Sequence, residues 1–296
     1  MKAYRRNGFW LRIVCTGLLL AAGCANPGRI APERKTHAGC EAESPRHELN
    51  EPPANQVEDP SKESLFIESA RADLADWPGR IIEGSRQTFL RADNMTALLL
   101  AGGASVAMHQ DADKDIADHF ERHRSLRNFR DESLYVVGHP GAHFVATGVW
   151  YALSAENRDE FNKHRARTMM TALSVTWLTT LGLKAVRDNE TPNGKNWAWP
   201  SGHTSSSFTV ASVLDEYYGP KVGIPAYVLA SLVAYRMMDT GDHWASDVVF
   251  GATLGWVVGH TVAGKHKKLE VAGFEVLPYL GDAGGPAMGV SLVKPF

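Results

Sequence analysis

Apolar residues in this chain gather in blocks and seldom alternate. Charge-poor apolar stretches occupy residues 94–110, 133–155, 168–183, 204–214, 222–235 and 248–264, and charged or Pro/Gly-rich connections separate them. Alternation, the mark of a half-buried strand, is rare in this region, so the pattern predicts an all-α bundle of about six helices over residues 63–268. The end of the chain reads differently. Residues 274–280 and 288–293 flank Gly281-Asp-Ala-Gly-Gly285 and predict a β-hairpin within a tail over 269–296. A membrane span needs about 17–25 mostly apolar residues. Most of these stretches sit at or below that limit and carry Ser, Thr, Gly or His, so a globular bundle held against a membrane is expected.

The chain ahead of the bundle is not part of the fold. Lys2, Arg5, Arg6 and Arg12 precede or enter an apolar run that ends in Leu20-Ala-Ala-Gly-Cys24, the layout of a secretory signal over residues 1–23. Small residues directly before a cysteine resemble the bacterial lipobox, which makes Cys24 the acylated first residue of the mature chain. Residues 24–62 hold six of the fifteen prolines and no Phe, Trp or Tyr. Such a stretch cannot bury enough apolar area to offset its ordering entropy, and it is expected to be a disordered tether. A lipid anchor on that tether predicts a bacterial cell-envelope lipoprotein on the periplasmic side, at the outer membrane. Three cysteines make no disulfide scaffold. The formal charge of −2 argues against a nucleic-acid partner. Cleavage removes four of the 31 basic residues, and the remaining 27 against 33 acidic ones disfavour simple adhesion to anionic lipid.

Candidate chemistry is concentrated between Lys184 and Asp247. Pro200-Ser201-Gly202-His203 leads straight into an apolar helical pattern, so Ser201 or Thr204 can cap a helix whose first N–H groups face outward. A helix start of this kind suits a phosphate, and His203 lies in its first turn. Forty residues on, His243 and Asp247 are four apart, one helical face if the helix begins at or just before His243. A carboxylate on one ring nitrogen fixes the tautomer and leaves the other free as base or nucleophile. Lys184 ends an apolar helix, and Arg187 follows it as a second cation.

This order of elements resembles the type 2 phosphatidic acid phosphatase superfamily, which also contains bacterial acid phosphatases and vanadium haloperoxidases. The resemblance covers about residues 95–265, and Pro200-Ser-Gly-His203 with His243-Trp-Ala-Ser-Asp247 is its specific part. Two departures stand out: Thr191 occupies an arginine position of the first motif, and Arg236-Met237 occupies the Ser-Arg positions of the third. The resemblance implies metal-independent, cofactor-free phosphoryl transfer. His243 would form a phosphohistidine with Asp247 orienting it, and His203 would protonate the leaving oxygen and then activate water. Lys184, Ser201 and Gly202 would hold the phosphate oxygens. Arg236, one residue from the expected position, and Arg187 or Lys195 can replace the lost charge. The substrate expected is a phosphomonoester or pyrophosphate of a phospholipid or isoprenoid. The alternatives are a soluble-substrate acid phosphatase, a vanadium haloperoxidase, or a catalytically impaired lipoprotein.

Other motifs carry less. His139 and His143 have metal-like spacing, but the Pro-Gly between them is expected to break the helix and no third ligand is evident, so no metal is expected. Trp197 and Trp199 read as half-buried loop packing. Asp111-Ala-Asp113-Lys-Asp115 reads as an acidic helix start.

Overall fold

Nine helices form among the described residues of the computed structural model, which are 65–264 and three later strand segments. They are α1 (Leu65–Phe89), α2 (Ala92–Asp111), α3 (Asp113–Arg122), α4 (Phe129–Gly138), α5 (Pro140–Glu156), α6 (Glu160–Arg187), α7 (Gly202–Tyr218), α8 (Pro220–Asp239) and α9 (Ala245–Val262). The signal expected over 1–23, the acylated Cys24 and the tether over 24–62 lie outside the described residues.

The expected count of six is corrected to nine for three local reasons. Helix α1 spreads its apolar positions among charges and contains Pro78, so it reads as a connection. Helix α3 is strongly polar; Asp113 and Asp115 lie in its first turn, where carboxylates favour the helix dipole. The stretch 133–155 divides at His139, because Pro140 occupies the first turn of α5 and His139 caps it, its ring accepting from Gly141 N–H. Pro140 therefore starts a helix and leaves His143 inside it. After α9, β1 (Glu270–Val271), β2 (Phe274–Gly281) and β3 (Ala287–Val293) pair antiparallel in the order β1-β2-β3, with Glu275 opposite Val293 and Gly281 opposite Ala287. β2 and β3 occupy the two segments expected to pair, and β1 adds a third strand beside β2.

The core lies where α6, α7 and α9 meet, around Leu173, Val175, Val213, Leu254, Val257 and Val258, each at most 1% exposed. Each such side chain contributes about 1.5–3 kcal/mol by leaving water. A seam of small residues sets the distance between α7 and α9. A Cβ on Gly251 would lie 2.8 Å from the Ser201 carbonyl oxygen, and one on Gly255 would lie 2.2 Å from that of Ser205. That close approach puts the starts of α7 and α9 side by side. Thr176 meets Thr209 at 2.7 Å and Thr180 meets Ser205 at 3.1 Å, so α6 is tied to α7 by buried hydroxyl pairs. Among the described residues α6 is the one helix long and apolar enough to cross a membrane.

Candidate active site

The starts of α7 and α9 form the floor of the site. Ser201 is the cap of α7, fully buried, with its hydroxyl accepting from Thr204 N–H at 3.4 Å and from the Thr204 hydroxyl at 3.0 Å. Its own N–H donates to the Asp247 carbonyl at 3.1 Å, which locks one helix start onto the other. Gly202 and His203 follow in the first turn, where N–H groups have no partner inside the helix. His203 Nε2 is buried and makes no hydrogen bond. Burial, the neighbouring His243 and His139, and the Arg236 charge push the His203 imidazole down to about 3.

His243 and Asp247 meet, though not on one helical face. Helix α9 begins at Ala245, so His243 lies in the turn before it. Asp247 folds back from the first turn: one carboxylate oxygen accepts from Trp244 N–H at 2.9 Å and faces His243 Nδ1 at 3.4 Å. The turn holds His243 through its N–H, which donates to the Met237 carbonyl at 3.0 Å. Gly241, at φ +68°, supplies the left-handed residue that the turn requires. His243 is buried, and burial holds its imidazole below the ordinary histidine range while Asp247 opposes that shift. With Nδ1 on the carboxylate, Nε2 is left for chemistry.

Cations reach this floor from two sides. Lys184, in the last turn of α6, donates to the Trp197 and Ala198 carbonyls. Burial draws its ammonium down to about 8, and the nearby Asp247 charge opposes this. Arg236 is buried near the end of α8, its Nε donating to Asp131 at 2.8 Å and Nη1 to Asp242 at 2.5 Å. Met237, 1% exposed, packs in a small apolar cluster with Ala234 and Val248, and its Sδ accepts from Arg236 Nη1 at 4.0 Å. The helix therefore directs Arg236 to the polar side and the next residue to the core.

The other candidate cations are not brought in. The Arg187 guanidinium lies 5.2 Å from the Trp199 ring centroid and makes no hydrogen bond or ion pair with the site residues. The structure thus does not bring Arg187 onto the floor as it brings Lys184 and Arg236. Thr191 is buried in its own loop, donating to Asn193 and accepting from Lys195 N–H. Lys195 pairs with Asp242 at 2.7 Å. Trp199 packs on Phe250 and donates to Ser105, and Trp197 is half exposed.

Sequence reasoning passed over the acids that organise the site. Asp242 accepts from Asn193, Lys195, Thr240 and Arg236, joining the 188–201 loop to the turn before α9. Hydrogen bonds and the Arg236 charge hold its carboxyl well below the usual range despite burial. Asp113 accepts from Ser246 N–H at 2.9 Å and anchors the start of α9. Asp239 accepts from the N–H groups of Ser125 and Leu126 and ties the α3–α4 loop to α8. The only signal was adjacency: Asp242 precedes the motif histidine.

Residues 184–269 match the family model of the PAP2 superfamily, a segment that contains Lys184, His203, Arg236, His243 and Asp247. A lipid A 1-phosphatase from Porphyromonas gingivalis is 37% identical over 65 residues, 21% of this chain and 15% of that protein. The chain thus spans a small part of that curated relative's length. Two crystal structures are similar at 20% identity. The first, a transmembrane PAP2-type phosphatidylglycerolphosphate phosphatase from Bacillus subtilis, has a TM-score of 0.49 and covers 59% of this chain and 96% of its own. The second, LpxE from Aquifex aeolicus, has a TM-score of 0.41 and covers 49% of this chain and 92% of its own.

Proposed function

We propose that the chain is a PAP2-type phosphoric ester hydrolase acting on a lipid phosphate through a phosphohistidine. The observation that carries this reading is the convergence at the α7 and α9 starts of a carboxylate-bound His243 with an unpartnered His203 nitrogen, Lys184 and Arg236. His243 Nε2 attacks phosphorus, and the bond to the leaving oxygen breaks as His203 delivers a proton to it. Neutral His203 then takes a proton from water, which attacks phosphorus, and the N–P bond breaks to release phosphate and restore His243. Asp247 stabilises the positive ring, while Lys184, Arg236 and the free N–H groups of α7 stabilise the equatorial oxygens. None of these steps calls for a metal. Burial leaves the His203 imidazole neutral, so the dianionic substrate itself supplies the field that protonates the acid.

A lipid substrate is supported by the lipid A phosphatase segment and by exposed apolar side chains such as Leu99, Val145, Trp177, Ile224 and Val228. Acylation at Cys24, after cleavage of residues 1–23, would hold the domain near that substrate on a tether over 24–62, at the periplasmic face of the outer membrane. One observation favours weakened turnover as a second reading: Arg236 is already held by two carboxylates, and no arginine stands at Thr191.

The test compares wild type with His243→Ala on p-nitrophenyl phosphate, phosphatidic acid, phosphatidylglycerol phosphate and an isoprenyl pyrophosphate, with and without EDTA. His243-dependent, EDTA-resistant phosphate release is expected, with an acid-labile phosphoenzyme in wild type only. Release that survives His243→Ala overturns the mechanism, and loss in EDTA overturns its metal independence. Palmitate labelling that persists in Cys24→Ala overturns the anchor.

A further inference from the structure

Two side chains outside the 184–269 segment touch the proposed acid. The Tyr135 ring, on α4, lies 5.1 Å from the His203 ring at a 34° tilt, and the Arg236 guanidinium carbon sits 4.9 Å from the same tyrosine ring. His139, the cap of α5, meets His203 edge-on at 5.3 Å and 83°, and Tyr135 at 5.7 Å. The backbone behind them is fixed. A Cβ on Gly138 would lie 2.3 Å from Val233 Cγ1, so α4 rests directly on α8. The Gly138 carbonyl also accepts from the Ser206 hydroxyl at 3.5 Å, which links it to α7. Asp131 lies one turn before Tyr135 and accepts from Arg236, so one face of α4 offers that arginine both a carboxylate and an aromatic ring.

We infer that Tyr135 is a positioning residue of this site, whose ring packs against both His203 and Arg236 and favours the protonated His203 from which the leaving oxygen takes its proton. The inference rests on the phosphatase reading above. His203 is faced by Tyr135 from α4, His139 from the α5 cap, Arg236 from α8, and Asp242 and His243 from the turn before α9. Burial and the three basic neighbours all oppose a charge on His203, and Asp242 is the acid that favours it. An aromatic ring against a cation is attractive through its negative face, and more so when water is excluded. Tyr135 therefore supplies what the charged neighbours lack, a surface that tolerates two cations without neutralising either. His139 acts from the edge. Its Nδ1 accepts from Gly141 N–H at 3.0 Å, so a neutral ring carries its proton on Nε2 and stays aligned as the helix cap.

The test uses the full chain and a short-chain phosphatidic acid, whose alkoxide leaving group needs the proton, with kcat and KM measured across about pH 4–9. Tyr135→Leu is expected to lower kcat about tenfold and to move the alkaline limb of kcat at least about half a pH unit downward, with KM little changed. Tyr135→Phe keeps the ring and is expected to keep both the rate and the limb. Tyr135→Met, which has bulk without a π face, carries the same expectation as leucine should that variant fail to fold. A histidine NMR titration with inorganic phosphate bound gives a readout without turnover: His203 should titrate lower in Tyr135→Leu than in wild type. A leucine variant with unchanged profile and titration overturns the inference, as does a phenylalanine variant damaged as much as leucine. His243→Ala run in parallel separates the two ideas. Activity that survives it sinks the phosphatase mechanism, whereas full dependence on His243 with an indifferent Tyr135 sinks this inference alone.

Discussion

Helix α9 carries a histidine–carboxylate pair near each end, and the two are built for different ends. Near its start, His243 faces Asp247 through Nδ1 at 3.4 Å, and its Nε2 makes no hydrogen bond among the described residues. In its last turn, His260 Nδ1 bonds Glu216 of α7 and Nε2 meets the Tyr227 hydroxyl of α8 at 2.8 Å, which in turn donates to Ser212 at 3.0 Å. Both pairs are buried. At the second pair every ring nitrogen is spent on stitching three helices together, whereas the first keeps one nitrogen free of any hydrogen bond among the described residues. The residue types are the same, so chemistry here follows from what is left unsatisfied.

Four substitutions would break or sharpen that contrast. The largest effect is expected from His243→Ala, which should lower kcat by about a thousandfold or more, since no residual nucleophile remains; single-turnover phosphate release measures it. Asp247→Asn should leave the fold intact and cost about 10²–10⁴ in kcat, because the tautomer and the developing ring charge lose their partner. Arg236→Ala should cost about 2–4 kcal/mol of transition-state stabilisation, read as kcat/KM, together with a lower melting temperature, because Asp131 and Asp242 lose their shared counter-charge. At the opposite end, His260→Gln should leave kcat within about twofold and lower unfolding free energy by about 1–3 kcal/mol, measured by urea denaturation. A large activity loss there would erase the distinction between the two pairs.

The smallest effect concerns pH. His203 is held neutral in the folded state, down to about 3 against an ordinary 6.5, so below 6.5 the unfolded chain binds protons that the folded chain refuses. Its contribution to stability is therefore complete above about 6.5 and is lost as pH falls toward 3. Thermal unfolding followed across that window should show an acid slope that His203→Gln flattens. Lys184 gives the opposite limb: its ammonium, drawn down to about 8, should make kcat/KM fall as pH rises through 8, and Lys184→Arg should move that limb upward.

Much of the site was legible because its parts are local. Ser201 and the apolar run after it mark a helix start wherever the helix ends up, and Lys184 closes the apolar run over 168–183. The His243–Asp247 spacing pointed to two side chains that do meet, though a helix beginning two residues after His243 makes the contact through a capping carboxylate rather than along one helical face. The placement of Arg187 against Trp199 was not legible, because adjacency to a lysine says nothing about which way a helix turns a side chain. Asp242, Asp131 and Tyr135 were invisible for a related reason. They come from a turn and from a separate helix, and acids and aromatics of this kind are common in any chain.

By itself, then, the amino-acid order determined that the described core is helical and that a helix starts just after Ser201, and it gathered the candidate residues between 184 and 247. Periodicity and capping act over one or two turns, so they survive without a fold. Only the tertiary structure decided that Arg236 faces the polar floor while Met237 enters the core, and that α4 lays a tyrosine against the proposed acid. It also decided that α7 and α9 start side by side. Those outcomes depend on how closely helices approach, which glycines at 138, 251 and 255 permit and which no local pattern encodes.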